Sequence, residues 1–107
     1  MKRIGFLLKV RPDKLAEYKA RHQAVWPEMQ AALRRHGWHN YSLFMRPDGL
    51  VFGYFETPES LQAAQAGMAL EAINDRWQDL MAPFFEGVGT AHADQMMEVL
   101  EPIFFLE

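Results

Sequence analysis

From Arg3 to Val10 nearly every position is apolar, with Ile4, Phe6 and Leu8 on one parity and Gly5 and Leu7 on the other. Side chains alternate across a strand, so this run reads as a strand with apolar residues on both faces. Arg11-Pro12-Asp13 ends it. The period then changes: Leu15, Tyr18, His22, Val25 and Trp26 trace one side of a helix expected from about Asp13 to His36. Asp13 and Glu17 put negative charge at the helix start, where the dipole favours it, and Arg34, Arg35 and His36 occupy its last turn. Pro27 lacks a donor and predicts a kink or a fresh helical start near Trp26. Gly37 is the expected cap. Trp38 to Arg46 reads as a second strand, Pro47-Asp48-Gly49 as a hairpin turn and Leu50 to Glu56 as a third strand. Thr57-Pro58-Glu59 resembles an N-cap followed by proline and an acidic first turn. The second helix is expected to continue to about Phe85, interrupted at Gly67. Glu86 to Asp94 reads as a loop, and Met96 to Leu106 as a last strand bent or placed at an edge by Pro102.

The predicted order is β-α-β-β-α-β, an α+β, ferredoxin-like arrangement with both helices on one face of an antiparallel sheet. A solvated sheet face should alternate with polar residues. The first strand and the third (Val51 and Phe55 against Leu50, Phe52 and Tyr54) instead carry apolar residues on both faces. The uncovered face predicts a ligand or another chain, and a self-complementary homodimer is the commonest solution.

A length of 107 residues with no internal repeat predicts one domain spanning 1–107. A composition 50% hydrophobic and 23% charged is that of a globular chain. With no cysteine there is no disulfide framework, thiolate zinc site or thiol nucleophile. A net charge of −3, with basic and acidic residues mixed, gives no basic stripe for a phosphate backbone, so nucleic acid is not an expected partner. The apolar run after Met1-Lys2-Arg3 is cut at Lys9, too short for a signal core or a membrane span. A cytoplasmic address, without membrane attachment, is expected.

The candidate chemistry lies in the first helix. Tyr18 and His22 are four residues apart, so they share a helix face and can reach one cavity. An imidazole beside a phenol can give and take protons near neutral pH. His39-Asn40-Tyr41 and Arg76-Trp77 add hydrogen-bonding groups and an aromatic wall, a mixture suited to sugars, which present hydroxyl edges and C–H faces. Read singly, each residue also has a structural explanation: Tyr18 as an amphipathic core tyrosine, His22 as a half-buried histidine, Trp26, Trp38 and Trp77 as core, Tyr41 as an ordinary strand aromatic. His36 and His39 flank a helix-ending glycine with no nearby acid, so no metal site is expected, and His92 receives no role.

Over nearly its whole length the chain is similar to the L-rhamnose mutarotase family. The likeness is carried by Tyr18, His22, Trp26-Pro27-Glu28, His36-Gly37, His39-Asn40-Tyr41, Arg76-Trp77 and Phe104-Phe105-Leu106. The resemblance implies a dimeric α/β barrel that interconverts the anomers of a 6-deoxy-hexose, L-rhamnose first and L-fucose as the alternative, by general acid–base ring opening, with no cofactor. It implies His22 as proton donor and Tyr18 and Tyr41 as sugar contacts, with a tandem aromatic pair late in the second helix. Trp77 keeps the first of that pair, but Gln78 replaces the second, which bears on the choice of sugar. The same dimeric fold also serves small monooxygenases and haem-degrading enzymes, and a non-catalytic sugar-binding module would use similar residues.

Overall fold

A computed structural model describes residues 1–85 and 97–107. The expected loop Glu86–Asp94, with His92, lies outside the described residues, as does Met96. Strand β1 spans Lys2–Lys9, β2 His39–Met45, β3 Leu50–Thr57 and β4 Glu98–Leu100. They form one antiparallel sheet in the order β2-β3-β1-β4. The β2–β3 hairpin turns where Pro47-Asp48-Gly49 predicted, closed by Gly49 N–H to the Arg46 carbonyl at 2.9 Å.

Both expected long helices are pairs. A 3₁₀ turn at Pro12–Lys14 leads into α1, Leu15–His22; the chain then breaks, and α2 runs Pro27–Arg35. Pro27 sits in the first turn of α2, where its missing N–H costs nothing, so it starts a helix rather than kinking one. At the end of α2 the Gly37 N–H bonds the Arg34 carbonyl and the Trp38 N–H bonds the Leu33 carbonyl, with Gly37 at φ +82°. This double capping needs a left-handed residue, which glycine supplies.

The second long helix divides elsewhere than expected: α3 is Leu61–Ala69 and α4 is Ala72–Met81, so the break falls at Leu70–Glu71, not at Gly67. Gly67 is helical, and its bare backbone is where the His36 ring packs, a place any Cβ would occupy. The start is corrected too. Thr57 is the buried end of β3, and Ser60 caps α3 by accepting the Ala63 N–H at 3.0 Å. A 3₁₀ turn at Ala82–Phe84 follows α4 and leads to an isolated bridge between Phe85 and Val10.

The last strand is shorter than the Met96–Leu106 expectation. Its pairing with β1 ends at Leu100 opposite Gly5, and two residues further on Pro102 would oppose Arg3 without an N–H to donate. Residues 101–107 are exposed, Ile103 at 90%, although the Arg3 guanidinium lies 3.3 Å from the centre of the Phe105 ring.

The core lies on the sheet face that carries Phe6, Val51 and Phe55, all fully buried, together with Ala32, Met68, Trp77 and Met81 from the helices. Phe55 stacks on Trp38 at 4.0 Å between ring centres. The opposite face presents Phe52 (39% exposed) and Phe44 (63% exposed), register partners across β2 and β3.

Candidate active site

The end of α1 places an imidazole at the centre of the site. The nearer ring nitrogen of His22, Nδ1, lies 2.9 Å from the backbone oxygen of Tyr18. A carbonyl can only accept, so Nδ1 carries the hydrogen and Nε2 is the nitrogen available to a ligand. Burial lowers the His22 pKa, partly offset by this hydrogen bond. The imidazolium is therefore a stronger acid than a solvated one, and less of it is present at neutral pH.

Around His22 the rings are packed in series. Tyr18 lies 4.2 Å from it on one side, and Trp77 meets it edge-on at 5.5 Å on the other. Trp77 in turn stands edge-on to Trp26 at 5.1 Å, and Phe85 closes behind Tyr18 at 5.7 Å. Burial pushes the Tyr18 hydroxyl well above its ordinary pKa, so it remains a neutral donor.

A cavity of about 960 Å³ opens between α2, α4 and β2. His22, Tyr41, Trp77 and Gln78, all singled out from the sequence, line it, as do His39 and Asn40. Tyr18 does not. It borders a smaller recess of about 290 Å³, and the two hollows share His22, Gln23 and Leu43 as a common wall. The shared helix face thus brings Tyr18 and His22 to one recess, while only His22 also reaches the large cavity. Arg76 is exposed and takes no part in the wall, because the α4 face toward the cavity carries Asn74, Trp77 and Gln78.

Asn40 occupies the left-handed region at φ +50°, and the β2–β3 register shifts between His39 and Ser42. Such a bulge re-aims a side chain. Here Tyr41 rests on Trp38 at 5.1 Å and on Phe55 at 5.9 Å while bordering the cavity. The sequence marked Asn40-Tyr41 as candidate site residues but gave no sign of the bulge.

Asn74 was missed. It is 2% exposed, lines the cavity and accepts a hydrogen bond from Gln78 Nε2 at 3.3 Å. The available signal was its spacing, three residues before Trp77 and four before Gln78. His36 also has a place: its Nε2 meets Glu71 Oε2 at 2.7 Å, and Arg35 donates to the same oxygen at 3.0 Å. The His36 and Arg35 hydrogen bonds hold the Glu71 carboxyl below its usual pKa. This contact ties the end of α2 to the residue preceding α4. Among the described residues, no group of three His, Asp or Glu is placed to hold a metal, and no helix is long and apolar enough to cross a membrane.

The family comparison decides between the readings that this geometry allows. The L-rhamnose mutarotase profile matches residues 3–106. The chain belongs to the L-rhamnose mutarotase family. It is 44% identical over 84 residues to the L-rhamnose mutarotase of Oceanobacillus iheyensis, covering 78% of this chain and 79% of that one. It is 37% identical to that of Yersinia pestis over the full length of both chains. The crystal structure of the L-rhamnose mutarotase FA22100 from Formosa agariphila superposes over the whole of both chains, with a TM-score of 0.80 and 25% identity. Rv0793 from Mycobacterium tuberculosis, at 16% identity and a TM-score of 0.59 over 98% of this chain, shares the fold alone. Membership in the family makes the chain an isomerase, a sugar mutarotase, rather than a monooxygenase or haem-degrading enzyme.

Proposed function

We propose that this mutarotase opens and recloses the pyranose ring of L-rhamnose, with His22 as the proton donor to the ring oxygen. Ring opening needs a proton on that oxygen as the anomeric hydroxyl loses its own, and closure on the other carbonyl face gives the other anomer. The observation that carries the reading is the tethered His22 imidazole, its Nδ1 committed to the Tyr18 carbonyl and its Nε2 left for substrate beside an aromatic wall. Trp77 offers a surface for the C–H face of the sugar, Tyr41 and Gln78 offer polar groups along the cavity, and Tyr18 contributes a neutral hydroxyl from the adjoining recess.

In this reading residues 1–107 form one ferredoxin-like domain, supported by the strand order β2-β3-β1-β4 and its helical crossovers. Two copies join as a dimeric α/β barrel through the sheet face bearing Phe44 and Phe52, whose exposure supports a covered state. The cytoplasmic address expected from the sequence stays part of the proposal.

Saturation-exchange NMR tests the reaction. The protein should speed interconversion of the L-rhamnose anomers far above the spontaneous rate without any added metal or cofactor. Binding of L-rhamnose with no faster exchange would reduce the chain to a sugar-binding module.

A further inference from the structure

On α4, Gln78 Nε2–H donates to Asn74 Oδ1 at 3.3 Å, and both side chains line the large cavity. The two residues are four apart, one turn of helix, with Trp77 between them on the same wall. Both are nearly sealed from solvent, at 2% and 9% exposure. One Nε2–H of Gln78 is committed to Asn74, which leaves the second N–H and the amide oxygen, its only acceptor. Among the described residues no donor reaches that oxygen. A buried acceptor without a partner is costly, and a hydroxyl hydrogen is the natural complement where the ligand is a sugar.

The supports behind Asn74 make its position rigid. Its backbone N–H bonds the Glu71 carbonyl at 3.1 Å, and the Glu71 carboxylate is held in turn by Arg35 at the end of α2 and by His36, which caps that helix. The residue before α4 is therefore tied to the end of α2, the helix that lines the cavity with Leu33 and Arg34.

We infer that Asn74 is a positioning residue for substrate choice: it holds the Gln78 amide so that its oxygen accepts a hydrogen bond from one hydroxyl of the bound sugar. This deepens, and rests on, the mutarotase reading of the same site. An aromatic residue at position 78 would present a face indifferent to hydroxyl placement. A held amide oxygen instead penalises any sugar that fails to bring a hydroxyl to it, because the acceptor is then left unpaired.

The test compares L-rhamnose with its monodeoxy analogues, each lacking one hydroxyl other than the anomeric one that exchange requires, by saturation-exchange NMR. In the wild type one analogue should lose about tenfold or more in kcat/KM relative to L-rhamnose. Gln78→Met should abolish that preference. Asn74→Leu, which keeps volume but offers no acceptor, should erode it about as far with Gln78 still present, the loss appearing in KM rather than kcat. Asn74→Asp, which keeps the acceptor, should restore it. The Asn74→Leu/Gln78→Met double variant should lose no more than Gln78→Met alone, since the two act as one unit.

Full preference in Asn74→Leu, or additive losses in the double variant, would overturn the proposal. Thermal melts accompany each variant; if Asn74→Leu is unfolded, Asn74→Ser, which pulls the acceptor out of reach with less disturbance, takes its place under the same criteria. A wild type that does not speed exchange would sink the mutarotase reading instead. The amide pair is then judged from the same ratios of sugar affinity, read by tryptophan fluorescence, where equal affinities for every analogue would overturn it.

Discussion

The two faces of the sheet are built from the same strands and do different things. On the covered face Phe6 and Phe55 are wholly buried, and the rings they support, Trp38 and Tyr41, form one side of the cavity. On the other face Phe44 and Phe52 approach each other at 6.4 Å with much of their surface exposed. Strand alternation assigns each residue to one face or the other, so a single apolar run can serve both. The difference is a division of labour: the covered face builds the core and one wall of the cavity, while the open face is free for the proposed assembly. Changes on the two faces should therefore fail in different ways.

The largest effect is expected at the proposed proton donor. His22→Ala should slow anomer exchange by roughly 10²–10⁴-fold, or about 3–5 kcal/mol in the barrier, with an unchanged circular dichroism spectrum. Exchange at the wild-type rate would remove His22 from the chemistry. Next is the covered face itself. Phe55→Ala deletes the ring stacked on Trp38 and should cost about 3–5 kcal/mol, read as a lower urea midpoint. Because Tyr41 also rests on Phe55, exchange should weaken even where the protein remains folded.

The open face should respond in assembly instead. Phe44→Asp with Phe52→Asp places charge on the proposed contact surface, and sedimentation equilibrium should move from a dimer to a 12.4 kDa monomer with its secondary structure kept. A wild type that is monomeric at micromolar concentration would break the comparison at its root. The smallest expected change is with pH. Burial sets the His22 pKa below its ordinary value of 6.5, and a donor must be protonated to act. Corrected for spontaneous exchange, the rate should therefore rise as pH falls through neutrality and level off only below 6.5. A rate that falls with pH over that range would make His22 a base.

Much of this was legible in the sequence because the signals were local. Short apolar runs bounded by turn residues marked the first three strands, Pro47-Asp48-Gly49 the hairpin, and a four-residue spacing set Tyr18 beside His22. What escaped depends on partners distant along the chain. The α3–α4 break falls at Glu71, a residue held by Arg35 and His36 from another helix, and nothing near Glu71 announces that contact. Asn74 looked like an ordinary polar helix residue until α4 was seen to lie along a cavity. The last strand ended early because its pairing partner is a single edge, and Pro102 cannot extend it there. Tyr18 was placed on the correct helix face, but a face does not say which of two adjoining hollows it meets.

The bond from His22 Nδ1 to the Tyr18 carbonyl has one more consequence. Its acceptor belongs to the main chain, so no side-chain replacement at position 18 removes it. Any residue that keeps α1 helical supplies the same oxygen one turn before the imidazole. The tautomer of His22 is thus an inherited property of helix pitch, insulated from mutation of its neighbours. The phenol of Tyr18 is left free to vary with the ligand, while the proton stays on the same nitrogen.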